Sequence, residues 1–349
     1  MNSNMASIKI VDDITPEVID GLKLFAKHTS RTYDSNKWLY WFRDNPYGNG
    51  LHGLAIHQEK IIGYYSLIPT EMRLAGKTLI CAKGEFLVVD PNYRKHYVSN
   101  PRIPLAFDLV KITNEEAIKH GIQAILVVAT DVASLCHEYA GAKKFVFPCR
   151  HFFTFFRLPK KRTNRINNLL VQSKFYSIFR IQLALKSIIN KNGQSISEKI
   201  DYLDTESLCN RNNYNRLVSQ NPKMLNFRFS NQEYLKYLIH NGNDMNYLIF
   251  RKPKHDGRVV LKDWSSLELR KSEFEDIFID LYKQCKEYEV ESIHISIPDY
   301  DYKINGFLHK FGFLSRRYTS TIYISSSDDV AQNLDSFSWD FTDSHTEYI

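Results

Sequence analysis

No stretch of the 349 residues approaches the roughly 20 consecutive apolar positions of a membrane helix, and the opening MNSNMA lacks the basic and apolar regions of a secretory leader. The expectation is a soluble, cytoplasmic protein without membrane insertion. Cysteine is scarce and unpatterned: Cys81, Cys136, Cys149, Cys209 and Cys285 are odd in number and form no CxxC pair. That speaks for reduced core thiols and against a disulfide or zinc framework. The histidines form no HExxH and no cluster with cysteine, so no metal is expected. Acidic residues are missing altogether from 159–197, which carries eight Lys or Arg, and Lys and Arg are missing from 325–349, which carries six acids. The rest of the chain keeps a mild positive surplus within the overall +7, a balance that suits an anionic ligand.

A chain of this length and 43% hydrophobic content can bury two cores. Within the basic segment, Leu169, Leu170, Phe175, Ile178, Phe179, Ile181, Leu183, Leu185 and Ile188 recur at roughly helical spacing. The segment reads as an amphipathic helical connector, either a solvated face between two lobes or a contact for phosphate, RNA or an anionic membrane. The flanks of this connector repeat each other. Residues 36–43 (NKWLYWFR) resemble 222–229 (PKMLNFRF), and each precedes strand-like segments, at 54–57, 61–67 and 85–89 in the first half and at 247–251 and 258–262 in the second. Helix-like stretches follow at 105–120 and 271–288, then buried-looking strands at 124–128 and 292–297, then a short helix ending at Gly141 or Gly312. A serial match of this kind predicts a duplicated α/β unit: a first lobe at 1–158, the connector at 159–198, a second lobe at 199–327 and an acidic tail at 328–349.

In each unit a strand leads through a loop and a helix to a parallel strand, and ligands of such sheets sit where the strands end and helices begin. The stretch EFLVVDPNYRKHYVS, residues 85–99, falls at that point. A loop from Asn92 to Pro104 would surround an anion with backbone amides, with Arg94, Lys95 and Arg102 supplying charge.

The same stretch resembles the acyl-CoA loop of the GNAT acyltransferase superfamily, E-x-L-x-V-x-P-x-x-R followed by x-x-G-x-G/A. Glu85, Leu87, Val89, Pro91 and Arg94 match, whereas Tyr97 and Ser99 stand where the family has small residues. Two tandem GNAT-like mixed-sheet units joined by a basic helical connector are what the resemblance implies. It further implies that Val89 pairs with the pantetheine of an acyl-CoA cosubstrate, and that Arg94, Lys95, His96, Tyr97, Val98 and Ser99 hold the pyrophosphate. Glu85 takes the place of the general base or is a salt-bridged rim residue. His137 stands where the family has its tyrosine acid, with Tyr139 as the alternative, and Thr130 stands in the place of the usual asparagine. Tyr139 lies about 200° further round a helix, so the two cannot face one thiolate. In the second half no Pro-x-x-Arg follows the matching strand, so cofactor binding is expected in the first lobe alone.

Residues 37–50 (KWLYWFRDNPYGNG) concentrate Trp38, Trp41 and Tyr47 beside Arg43, a composition that suits a sugar or nucleobase unless Trp38 and Trp41 are core. Of the neighbouring pair Tyr64 and Tyr65, alternation along a strand lets only one enter a cleft. The expectation is an N-acyltransferase that acts on small molecules, acyl-CoA and a nucleotide-linked amino sugar, without nucleic acid. A Fem-type aminoacyl-tRNA-dependent peptidyl transferase and a non-catalytic binding module are the alternatives.

Overall fold

The structure, a computed structural model, describes residues 4–29, 31–74, 77–155, 197–201, 203, 215–216, 221–230, 233–241, 244–253, 257–265, 277, 280–281, 292–298, 306, 308–309, 313–326, 330 and 339–340. The connector, apart from its last two residues, lies outside the described residues. So do the acidic tail, apart from 330 and 339–340, and most of 271–288.

Along the chain run β1 (Ser7–Val11), α1 (Pro16–Thr29), α2 (Ser35–Arg43), β2 (Leu51–His57), β3 (Lys60–Leu74), β4 (Lys77–Val89), α3 (Leu105–Lys119), β5 (Ala124–Val127), α4 (Asp131–Tyr139) and β6 (Lys143–Phe155). They are followed by β7 (Ser197–Ile200), β8 (Asn215–Arg216), α5 (Pro222–Arg228), β9 (Tyr234–Asn241), β10 (Asp244–Arg251), β11 (Arg258–Trp264), β12 (Ser292–Pro298), β13 (Leu314–Ser326) and β14 (Trp339–Asp340). Local chemistry fixes several boundaries. Gln58 and Glu59 both adopt positive φ, the backbone of a two-residue hairpin turn between β2 and β3. Pro104 precedes α3, which ends at Gly121 (φ 88°), and α4 ends at Gly141 (φ 83°), where the Ala142 amide bonds back to the His137 carbonyl. Both helices lie where the periodicity puts them.

The strands form one mixed sheet in the order β1-β2-β3-β4-β5-β13-β6-β12-β11-β10-β9-β7. Parallel pairing occurs at β4 with β5 and at β11 with β12, the two crossovers expected from the sequence; along the rest of this order the neighbours are antiparallel. The order is symmetric about the central antiparallel pair β6 and β13. Each half's last strand is inserted into the other half, β13 between β5 and β6, and β6 between β13 and β12. The boundaries 1–158 and 199–327 therefore do not divide the sheet, because a strand drawn from 314–326 completes the first half.

One face of the first half is covered by α3 and α4, with Leu105, Leu109, Val110 and Cys136 packed on Tyr65, Ala82, Ile125, Val127 and Tyr323. The other face carries α1, α2 and α5, with Val18, Leu22, Phe25, Trp38, Phe42, Met224 and Phe227 packed on Leu54, Tyr64, Phe86 and Val88. The resembling segments at 36–43 and 222–229 meet there. Tyr40 stacks on Phe227 at 4.7 Å and donates to the Phe227 carbonyl at 2.9 Å.

Gly21 of α1 lies directly on Tyr64, and an added Cβ would sit 2.4 Å from Tyr64 Cδ2. Tyr64 is fully buried and its hydroxyl is tied to His52 Nδ1 at 2.8 Å, so the ring has nowhere to move. Alanine gains about 1 kcal/mol of helix propensity, whereas overpacking costs about 1–3 kcal/mol. Gly21→Ala is therefore expected to lower stability in urea unfolding; a rise would place α1 farther from the sheet.

Candidate active site

The site begins with a fault in the sheet. β4 pairs with β5 only at Cys81, Ala82 and Lys83, opposite Ala124, Ile125 and Leu126, and beyond Lys83 the two strands part. On its other side β4 carries a bulge against β3: Ser66 faces Glu85 and Tyr64 faces Val88, so Phe86 and Leu87 together oppose Tyr65. Phe86 sits at φ 60°, a rare conformation for a bulky residue. Four rings hold it: Trp38 at 5.1 Å, Phe25 at 5.2 Å, Phe42 at 5.9 Å and Tyr64 at 6.4 Å. From Gly84 to Val89 the β4 main chain therefore faces the gap with no strand beside it among the described residues, an edge on which an extended amide-bearing ligand can pair.

Two faces of the sheet meet at this gap. Tyr65 is on the α3 and α4 face, 1% exposed, and its hydroxyl lies so close to Gly84 that a Cβ there would be 2.1 Å from it. The ring centre of His137 is 5.8 Å from that of Tyr65. Among the described residues, neither Tyr65 Oη nor His137 Nδ1 has a hydrogen-bond partner. By strand alternation Lys83 and Glu85 lie on the opposite face. Lys83 is buried, and its ammonium lies 2.6 Å from the half-buried Glu85 carboxylate, an ion pair that holds Glu85 in place at the mouth of the gap. Lys83 was not among the residues singled out from the sequence, although a lysine two positions before Glu85, the two being the only charges in the run ICAKGEFLVV, was a signal.

Burial pushes His137 down to about 4, so its imidazole is neutral at physiological pH. A neutral imidazole does not favour the imidazolium-acid role that its place at the family's tyrosine suggested. Tyr139 is 39% exposed, packs on Phe107 and lies under Lys111, away from His137, as helical geometry required. Burial, aided by the charge of Glu85, raises the Tyr65 phenol above its ordinary value. Burial raises the Cys136 thiol to about 11, which keeps it protonated.

Val89 ends β4, half-buried. Beyond it Asp90 caps the turn, its carboxylate accepting from the Asn92 amide at 3.0 Å. The side chains of Arg94, Lys95, Ser99 and Arg102 are exposed, and across the gap Thr130 begins α4 with no capping bond from its side chain. His96 packs against His57 and Tyr93, and burial lowers its basicity. The loop does not offer the expected run of backbone amides. The Tyr97 amide donates to the Asn4 carbonyl at 3.3 Å and the His96 amide to Tyr93 at 2.9 Å. The Val98 amide lies against the carboxyl of Asp108, itself buried in the first turn of α3. The residues present fit a diphosphate through the side-chain charges of Arg94, Lys95 and Arg102 more than through main-chain amides, a consequence of Tyr97 standing in place of glycine.

The expected acceptor residues disperse. Trp38 and Trp41 are 2% and 9% exposed and belong to the core under the bulge, which corrects their reading as pocket walls. Arg43 is exposed and bonded to Asp44 at 3.0 Å. Tyr47 donates to Glu71, whose carboxyl is raised by burial. Tyr65 alone of that group reaches the gap. In the second half, β11 leaves β12 after Val260 and bulges at Lys262, but there Asp263 is buried against Arg228 at 3.8 Å and Tyr247 at 3.3 Å.

No protein-family model and no curated protein matches the sequence. Solved structures do share the fold. A GCN5-related N-acetyltransferase from Anabaena variabilis superposes with a TM-score of 0.55 at 13% identity, over 91% of this chain and 72% of that one. N-myristoyltransferase from Saccharomyces cerevisiae with bound myristoyl-CoA gives 0.52 at 13% identity, over 93% and 83%. A tandem GNAT protein from the clavulanic acid biosynthesis pathway gives 0.50 at 12% identity, over 92% and 98%. The α/β fold thus resembles that of GNAT acetyltransferases, with a large mixed sheet.

Two measurements probe the site without any substrate. Gly84→Ala should destabilise the protein by about 1–3 kcal/mol through overpacking; unaltered unfolding would mean that the Tyr65 hydroxyl lies elsewhere. Burial also pushes His52 down to about 3, so His52 and His137 are both neutral when folded, while the unfolded chain takes up a proton at each below about pH 6.5. Stability is therefore full above about pH 6.5 and falls toward pH 4, by about 1.4 kcal/mol per pH unit for each histidine. His137→Phe should flatten that decline in unfolding curves taken between pH 7 and 4.5, and an unchanged slope would contradict its buried, neutral state.

Proposed function

We propose that the protein is an acyl-CoA-dependent N-acyltransferase of two GNAT-like lobes, with one working site, in the first lobe. The observation that carries the reading is the bulged, unpaired edge of β4 from Gly84 to Val89, with Arg94, Lys95 and Arg102 beyond its end. Pantetheine is an extended chain with two amides, and an unpaired strand edge binds such a chain by main-chain hydrogen bonds. The thioester then lies in the gap, against the bulge.

The remaining steps belong to this chain's side chains. Glu85, fixed by Lys83, stands on the face opposite Tyr65 and takes the proton of an incoming amine, directly or through water. Arg94, Lys95 and Arg102 hold the diphosphate. For the acceptor we propose a nucleotide-linked amino sugar, supported by the resemblance of the two-lobed layout and by the positive surplus of the chain. With Trp38 and Trp41 in the core, no aromatic platform adds to that support.

The test is release of free thiol from a panel of acyl-CoAs with amino-sugar nucleotides and simpler amines. Arg94→Ala should raise the acyl-CoA KM by about tenfold or more, the loss of one charge-assisted phosphate contact. Glu85→Gln should lower kcat by about 10²-fold with KM little changed. Acylation that depends instead on aminoacyl-tRNA, with steep salt sensitivity, would favour the Fem-type alternative.

A further inference from the structure

We propose that Tyr65 donates the proton to the departing thiolate, so that the acid of this site comes from strand β3 and not from helix α4. The inference rests on the acyltransferase reading above. Tyr65 is opposite the two bulged residues of β4, which places its side chain at the fork where β4 and β5 separate. Its hydroxyl is buried with no partner, a state that costs about 1–3 kcal/mol unless something bonds there. That hydroxyl is packed over Gly84 beside the Val127 side chain, at the point where β4 and β5 part: a Cβ on residue 84 would be 2.1 Å from Tyr65 Oη and 2.8 Å from Val127 Cγ2.

Tyr139 is set aside by its position and His137 by its neutrality. Tyr139 points into solvent beside Phe107 and Lys111. His137 backs the Tyr65 ring, as a neutral neighbour whose own Nδ1 also lacks a partner. Glu85 is on the opposite face, on the amine's side of the gap. Acid and base are thus separated by the sheet itself, with the thioester between them.

The balance is complete. The amine nitrogen forms a bond to the acyl carbon and loses one proton to Glu85; the carbon–sulfur bond breaks, and the sulfur leaves with the electron pair and the proton of Tyr65. Glu85 returns its proton to the Tyr65 phenolate through solvent as products depart. The net change is amine plus thioester to amide plus thiol. Because burial raises the phenol, Tyr65 stays protonated throughout the pH range in which the amine is neutral.

The test is Tyr65→Phe, which removes one oxygen and no packing. Its kcat should fall by about 10- to 100-fold with the acyl-CoA KM within about threefold of wild type. Calorimetric titration gives a readout independent of turnover: wild type should bind CoA more tightly than desulfo-CoA by about fivefold or more, and Tyr65→Phe should bind the two alike, having lost a hydrogen bond to sulfur. Its melting temperature should equal or exceed that of wild type, since an unpartnered hydroxyl has gone. Turnover by Tyr65→Phe within threefold of wild type, or an undiminished preference for CoA over desulfo-CoA, overturns the role of Tyr65 alone. A wild-type protein that binds no CoA and releases no thiol from any acyl-CoA overturns the acyltransferase reading and this inference with it.

Discussion

The site depends on the aromatic packing that holds Phe86 at positive φ. A backbone of that kind costs about 1–3 kcal/mol. Aromatic pairs contribute about 0.5–1.5 kcal/mol each beyond the area they bury, and Phe86 makes four such contacts, with Phe25, Trp38, Phe42 and Tyr64. The cluster is therefore large enough to hold the bulge. The bulge in turn sets Tyr65 at the fork and exposes the edge from Gly84 to Val89. The tryptophans that suggested an acceptor pocket lie instead in the core beneath the bulge, where they help to hold the strand.

Polar groups at the gap are arranged by the same principle. Lys83 and Glu85 alternate onto one face, where each compensates the other's burial, and Tyr65 and His137 lie on the other face without partners. A buried hydroxyl and a buried imidazole nitrogen that the fold leaves unbonded lower its stability, and that cost makes sense if a ligand completes them. The loop after β4 shows the reverse: the amides of His96, Tyr97 and Val98 are already engaged, by Tyr93, Asn4 and Asp108, and charge is left to long side chains on the surface.

What the sequence made legible was local. The run ending at Val89, the Pro91 turn, helix α3 from Leu105 and strand β5 all follow from spacing and breakers within a few residues of each other. What it hid was non-local. Trp38 and Trp41 sit on one helical face, and periodicity says that such a face is buried or binding without saying which. The distinction between Tyr64 and Tyr65 needed the register across the bulge. The neutrality of His137 depends on burial between α4 and the sheet, which no spacing reveals. The insertion of β13 beside β5 joins residues nearly 200 positions apart, and a strand pattern does not name its partner.

That insertion also orders events in time. As the chain emerges, the first half has β5 and β6 but lacks the strand that belongs between them, and residues 314–326 arrive only after the strands of the second half up to β12 have been made. Until then two strand edges stand open, each able to pair with the wrong chain. Contacts of such long sequence separation make for slow closure. The nascent first half therefore has a period of exposure that ends only when the other half has been made, and the gap beside β5 takes its final shape at that same late moment.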